Sequence, residues 1–327
     1  MKAWMTLALA AVMASAGAQP PTGNLDVRWD EGAADCAAGQ WTPLQVHAFD
    51  ARTFILRQSP CASFEANFLY LLVGDERALL VDSGAVADAG RMPLARRVLE
   101  LLPTRNGVRL PLVVAHTHSH SDHREGDAQF ASLPDVRIVP ADLDGVRAFY
   151  GLDRWPDGVA QLDLGGRVVH VLPAPGHNPN HVVFHDDATG LLLTGDFLLP
   201  GRLTVDDADA FKASASRIAA FVRNRPVSHV LGGHVELDRE GHLYPHGATH
   251  HPDERPLPLT KAEVLALPQA LEDFNGFHAR HPSFVLTNPL RNLAAVAIGA
   301  LVLLTLAVGL LVRWIRRRRR ARAATAR

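Results

Sequence analysis

At 327 residues the chain has room for one large domain or two modest ones, and 47% hydrophobic with 20% charged residues is the balance of a globular protein with a sizeable core. A formal net charge of −1 leaves no basic surplus outside the C-terminus, which argues against nucleic acid as a partner. The 17 histidines are clustered along the chain rather than scattered.

Residues 1–18 read as a secretory signal, with Lys2 as the positive start, an apolar core over 3–14 and the small residues Ala16-Gly17-Ala18 at the cleavage site. The apolar stretch is short for a retained membrane anchor. Residues 19–43, rich in Gly, Ala, Asp and Pro, form an irregular lead-in. Cys36 and Cys61 are the only cysteines. In an oxidising compartment they are expected to pair as one disulfide, pinning the lead-in to the first sheet; two buried thiols are the alternative.

A domain is expected over 44–285. Short strands are predicted at 44–49 and 53–57, then a hairpin of 67–73 and 78–81 whose second strand ends in Asp82-Ser83-Gly84. A helix over 94–102 follows from apolar residues at 94, 98, 101 and 102. The apolar run Leu112-Val113-Val114-Ala115 reads as a buried strand that empties into a loop, His116-Thr117-His118-Ser119-His120-Ser121-Asp122-His123. The chain continues with a short helix near 128–130, a strand at 136–139 and a helix over 142–150. A strand at 167–172 runs into Pro173-Ala174-Pro175-Gly176-His177. Strands at 181–185 and 191–194 lead to Gly195-Asp196, and a helix over 208–222 precedes a strand at 228–231 that delivers Gly232-Gly233-His234. A polar loop over 237–251, short helices at 260–267 and 268–274, and a linker at 286–292 complete the soluble part.

Residues 293–312 run for 20 positions without a charge, enough at about 1.5 Å per residue to cross a bilayer core. Trp314 stands where an interfacial aromatic is expected, and Arg313 with the arginines at 316–320 begins a basic tail, 313–327. By the positive-inside tendency this tail stays in the cytoplasm and the domain faces outward, periplasmic or at the cell surface. A buried core helix is the competing reading.

His118, His120, Asp122 and His123 crowd into one short stretch, and imidazole with carboxylate is a donor set that borderline cations such as zinc prefer. A histidine-rich surface loop binding stray metal has the same composition. His177, Asp196, His234 and Asp82, each just beyond a strand end, turn the stretch into a constellation. In the order His-x-His-x-Asp-His, Pro-Gly-His, Gly-Asp, Gly-His, the chain resembles the metallo-β-lactamase fold superfamily over roughly residues 44–236.

The resemblance implies a four-layer αββα sandwich with metals at one edge. It implies that His118, His120 and His177 bind one zinc, that Asp122, His123 and His234 bind a second, and that Asp196 bridges both. It places Asp82 and His181 behind the ligands and leaves His116 outside the set. Iron or manganese are alternatives to zinc. Two cations about 3.5–4 Å apart would share a water and lower its pKa toward about 7, with Asp122 as the catalytic residue that orients it and moves its proton. A bridging carboxylate at Asp196 points to thioesterases of the glyoxalase II type, lactonases and phosphodiesterases. The expected activity is therefore hydrolysis of an ester, thioester, lactone or related bond in a small-molecule substrate. A β-lactamase and a non-catalytic, membrane-tethered metal sensor are the alternatives. Arg202, which closely follows Asp196, is a candidate for holding an anionic group of the substrate, and Tyr244 and His246 are candidates for lining the mouth of the site.

Overall fold

The computed structural model describes residues 23–325 apart from Asn106, with side chains described as far as Arg318. The expected signal at 1–18 lies outside the described residues. Strands β1 (Leu44–Asp50), β2 (Thr53–Gln58), β3 (Phe68–Val73) and β4 (Ala78–Val81) form an antiparallel meander. Helix α1 (Leu94–Leu101) and a small hairpin, β5 (Thr104–Arg105) with β6 (Val108–Arg109), lead to β7 (Leu112–Ala115). β7 pairs parallel with β4, and after helix α2 (Ser121–Arg124) strand β8 (Val136–Ile138) completes a six-stranded sheet.

Helix α3 (Leu143–Tyr150) crosses to the second sheet, built from β9 (Ala160–Asp163), β10 (Val168–Pro173), β11 (Val182–Asp186) and β12 (Leu191–Gly195). Strand β13 (Arg202–Thr204) and helix α4 (Ala208–Arg223) precede β14 (His229–Gly232), which pairs parallel with β12 as the fifth strand. Helix α5 (Lys261–Glu272), β15 (His278–Arg280), β16 (Val285–Thr287) and helix α6 (Pro289–Thr325) follow.

Side-chain alternation along the strands explains the layering. On β3, Phe68, Tyr70 and Leu72 face the other sheet, where they meet Val169, Val171, Phe184, Leu191 and Leu193. Leu69, Leu71 and Val73 face outward and pack with Leu94 and Val98 of α1. The outer face of the second sheet, Leu172, Val183 and Leu192, packs with Phe211, Ala215, Ile218 and Val222 of α4 and with Val264 and Leu267 of α5. Strands buried on both faces are continuously apolar, which is why they are legible as runs. The result is the αββα sandwich. Asp207 caps α4 by accepting from the Ala210 amide at 3.0 Å, a contact of about 1 kcal/mol.

Three expectations need correction. Where two short helices are expected over 260–274, one helix forms, α5, which runs through Pro268. Leu267, Ala270 and Leu271 on either side of it are buried against α4, and this packing outweighs the proline's missing amide donor. The stretch 286–292 is not a linker. β16 pairs with β13 and β15, Leu286 is fully buried, and Asn288 donates through Nδ2 to the Val205 carbonyl at 2.7 Å, so the folded part runs past residue 285. α6 then starts directly at Pro289, a residue suited to a first helical turn. The third correction concerns the loop expected after β7, where Ser121–Arg124 form a helical turn, α2; a 3₁₀ turn (Glu125–Gln129) follows it, close to the short helix expected near 128–130.

Cys36 and Cys61 are joined by a disulfide, Cα–Cα 5.4 Å, which ties the lead-in to the turn after β2. α6 is long and apolar enough to cross a membrane, and its apolar side chains are uncovered, with Leu293 at 68% and Leu303 at 69% exposure.

Candidate metal centre

Five strand ends meet at one edge of the sandwich. β4 ends at Asp82, β7 leads to His118 and His120, β10 to His177, β12 to Asp196 and β14 to His234. α2 carries Asp122 and His123, turning them back toward the strand ends. Two of the connections require glycine. At Gly176, with φ +143°, a Cβ would lie 2.4 Å from the backbone of Phe211; at Gly233 it would lie 2.8 Å from Asp196 Oδ1 and 2.9 Å from the His123 ring. The Pro-Gly-His and Gly-Gly-His signatures therefore reflect close approach behind each histidine.

The predicted residues gather into two trios. In the first, His118 Nε2 lies 2.9 Å from His120 Nδ1 and 3.3 Å from His177 Nε2, and the last two atoms are 3.1 Å apart. In the second, His123 Nε2 lies 3.1 Å from Asp122 Oδ2 and 3.3 Å from His234 Nε2, which is itself 3.3 Å from the same Asp122 oxygen. Asp196 divides its carboxylate between them. Oδ1 is 3.4 Å from both His123 Nε2 and His234 Nε2, and Oδ2 is 3.6 Å from His177 Nε2.

This arrangement fits two cations. Donors at the corners of a tetrahedron, 2.0–2.1 Å from its centre, stand about 3.3 Å apart, close to the edges of both trios. Hydrogen bonding alone serves the first trio badly, because burial lowers the pKa of His118 and of His120, with neighbouring imidazoles adding to the effect. His177 gives its one N–H to the Thr204 carbonyl at 3.2 Å, so its Nε2 lone pair faces His118 and His120. Asp196 Oδ1 is buried without a hydrogen-bond partner among the described residues. In the second trio burial opposes charge, yet the neighbouring carboxylates push His234 up to about 10, and its charge helps to hold Asp122 below the usual carboxylate range. The group of atoms is one that calls for positive charge at its centre.

The supporting contacts orient the imidazoles. Asp82 Oδ2 is 2.9 Å from His123 Nδ1, which leaves Nε2 to face the trio, and Oδ1 accepts from the Thr117 amide at 2.7 Å. Asp82 holds this position with φ +64°, an uncommon conformation for a non-glycine residue. His234 Nδ1 faces the Glu65 carbonyl at 2.6 Å and His177 Nδ1 the Thr204 carbonyl at 3.2 Å. His181 is fully buried and stacks on His118, ring centroids 4.9 Å apart. His116 turns away to Asp127 Oδ1, at 2.9 Å. Asp82→Asn is expected to keep the fold and weaken metal affinity or activity by about 10–100-fold, measured by metal titration of the two proteins.

Two residues here escape the sequence reading. Thr117 lies between the histidines of the motif, and its Oγ1 donates to Asp82 at 3.0 Å. Asn67 donates through Nδ2 to Asp122 Oδ2 at 3.3 Å. A polar residue at the start of an otherwise apolar strand is the available signal for Asn67; Thr117 carries none apart from its place in the motif. Arg202 lines a cleft beside His234 together with Tyr244 and His246. Its guanidinium is held by Glu236 Oε1 at 2.7 Å and the Tyr244 carbonyl at 2.6 Å, so it is already paired. Phe64, Glu65, Tyr244 and His246 line a cleft beside His234.

Comparison with known proteins supplies the family. Residues 64–234, just over half of the chain, match the family model described as the metallo-beta-lactamase superfamily. The chain belongs to that superfamily. Among relatives in it, a hydroxyacylglutathione hydrolase from Anaeromyxobacter dehalogenans is 35% identical over 132 residues, covering 40% of this chain and 46% of the relative. Another, from Fuscovulum blasticum, is 30% identical over 184 residues, covering 55% of this chain and 66% of the relative. The chain thus spans about half to two thirds of the length of these two superfamily members. A solved metallo-beta-lactamase from Pontibacter korlensis is similar at 15% identity with a TM-score of 0.47, covering 71% of this chain and all of that one.

Proposed function

We propose that the chain is a metal-dependent hydrolase using two divalent cations, zinc first among them, to cleave a thioester of a small hydroxyacyl group. The observation that carries this reading is Asp196, whose two oxygens face different trios. The relatives named hydroxyacylglutathione hydrolase support the substrate class. When bound, the two cations would lower the pKa of a water and polarise the acyl oxygen.

The chain's own groups do the rest. His118, His120 and His177 would hold one cation, Asp122, His123 and His234 the other, with Asp196 between them. Asp122 turns Oδ2 toward His123, His234 and Asn67, which leaves Oδ1 to accept the proton of the attacking water. The oxygen then bonds to the acyl carbon, the C–S bond breaks, and its electron pair leaves on sulfur. A thiol with an ordinary pKa of about 8.5 departs as thiolate without needing an acid. Alcohol and amine leaving groups need a proton from a donor, so the thioester makes the smallest demand on this site.

A panel of hydroxyacyl thioester, simple ester, lactone, phosphodiester and β-lactam substrates tests the proposal, with His120→Ala as control. The thioester is expected to give the highest kcat/KM, and His120→Ala to lose both metal and turnover. Full metal loading with no turnover on any substrate would overturn the hydrolase reading in favour of a metal sensor.

We further propose that α6 anchors the domain outside the cytoplasm, with 1–18 as the signal and 313–327 as the cytoplasmic tail. The Cys36–Cys61 disulfide supports an oxidising compartment. Protease added to spheroplasts, which keep only the inner membrane sealed, should digest the domain and spare a tag placed on the tail; protection of the domain would contradict the orientation.

A further inference from the structure

A second cluster of metal-binding groups lies on the outer face of the second sheet, away from the strand ends that carry the centre. His170 on β10 and His185 on β11 stand directly opposite each other in the antiparallel pair, so their side chains share one face. That face lies under α4, and Phe221 packs against both imidazoles, with ring centroids at 5.4 and 5.6 Å. Asp187, the residue after β11, closes the group. Its Oδ2 is 2.9 Å from His170 Nε2 and its Oδ1 is 3.3 Å from His185 Nδ1. One ligand atom from each of the three residues falls within 4.8 Å of the others.

The tautomer of His185 is what makes the cluster informative. Its Nε2 is 2.9 Å from the Pro226 carbonyl, an atom that can only accept, so Nε2 carries the hydrogen. On the neutral ring Nδ1 then bears a lone pair, and it points at a carboxylate oxygen that is also an acceptor. The side chain is 1% exposed, and Nδ1 is buried with no hydrogen-bond partner among the described residues. Two acceptors facing each other at 3.3 Å repel unless something positive lies against both. An imidazole fixed through one nitrogen by a backbone carbonyl, with the other nitrogen free and aimed at a carboxylate, has the posture of a metal ligand.

We propose that His170, His185 and Asp187 form a third divalent-cation site, structural in role and suited to a zinc-class ion. Two imidazoles and a carboxylate supply three ligands, and Asp187, whose side chain is 49% exposed, leaves a side open for water as a fourth. The ion would clamp β10 to β11. β10 runs on to His177 and β11 to β12 and Asp196, so the clamp would brace the sheet that supports the centre without taking part in its chemistry.

The test uses the full chain in detergent, loaded with zinc and freed of loosely held metal, and compares metal content with the zinc-dependent shift in Tm. The wild-type chain should hold about three equivalents, and Asp187→Asn and His170→Gln should each hold about one fewer. His120→Ala should lose metal from the centre and retain the equivalent that Asp187→Asn removes. That separates failure of this site from failure of the centre, and the paired variants guard against misfolding of either one. If Asp187→Asn and His170→Gln melt like wild type without zinc and hold as much zinc as wild type, the site does not exist. His185 is then a protonated partner of Asp187.

Discussion

Asp196→Asn is expected to abolish the paired character of the metal centre while leaving the sandwich intact. The carboxylate is the one group whose oxygens face both trios, Oδ1 toward His123 and His234 and Oδ2 toward His177. An amide at this position keeps the shape but removes the negative charge and turns one end into a donor directed at ring nitrogens. Binding of a second cation next to the first depends on that charge, because two divalent ions about 3.5–4 Å apart repel strongly unless a carboxylate lies between them. Turnover of the thioester should fall by about 10²–10³-fold, comparable with loss of a major electrostatic contributor in other hydrolytic sites. Metal content should drop by about one equivalent from the centre. Metal analysis and kcat/KM on the same preparation check this. Turnover within tenfold of wild type would mean that Asp196 does not bridge, and the two-cation mechanism would fail with it.

The sequence makes this residue visible because a strand, a glycine and an acid occur together. Leu191, Leu192 and Leu193 announce a buried strand, and Asp196 follows where the chain leaves the sheet. The same logic exposes His118, His177 and His234. Other features depend on partners that no local pattern contains. β13, β15 and β16 have three residues each and exist by pairing with one another. Periodicity cannot register in so few residues, so the end of the fold reads as a linker. α5 continues through Pro268 because α4 packs along it, a tertiary effect that overrides the residue's own preference. Thr117 and Asn67 are polar residues with ordinary local surroundings, and they matter through Asp82 and Asp122, distant in sequence. Arg202 stands in the cleft beside His234, and its guanidinium is taken by Glu236 and the Tyr244 carbonyl, partners that its place in the chain does not announce.

The centre's geometry depends on the two sheets keeping their relative position, because His118 hangs from the first and His177, Asp196 and His234 from the second. Apolar packing between the inner faces supplies most of that adhesion but is non-directional. Hydrogen bonds across the interface supply register. At the edge near the centre, the Tyr70 hydroxyl of the first sheet donates to the Gly232 carbonyl of the second at 2.6 Å.

At the opposite end of the sandwich the equivalent role falls to Arg167, and Asp186→Ala is expected to give the largest loss of stability. Arg167 donates from Nε and Nη2 to the two oxygens of Asp186 at 2.9 and 2.8 Å, a bidentate pair inside the second sheet. Its Nη1 and Nη2 also reach the Arg52 carbonyl and Thr53 Oγ1 in the first sheet, both at 2.8 Å. The side chains are 5% and 0% exposed. Removing the carboxylate strands a buried guanidinium and deprives Thr189 of the acceptor for its amide and hydroxyl. Breaking a buried pair in this way costs about 3–5 kcal/mol. At about 2–4 °C per kcal/mol for a domain of this size, Tm should fall by roughly 6–20 °C. Because the pair lies beside Val73 and Arg52, remote from the strand ends that bear the centre's ligands, the metal content of the centre and kcat/KM measured well below the new Tm should stay within a few-fold of wild type. Replacing both Arg167 and Asp186 with apolar residues should recover part of the loss, since no charge is then left buried. A Tm unchanged in Asp186→Ala would show that the guanidinium finds other acceptors in the first sheet.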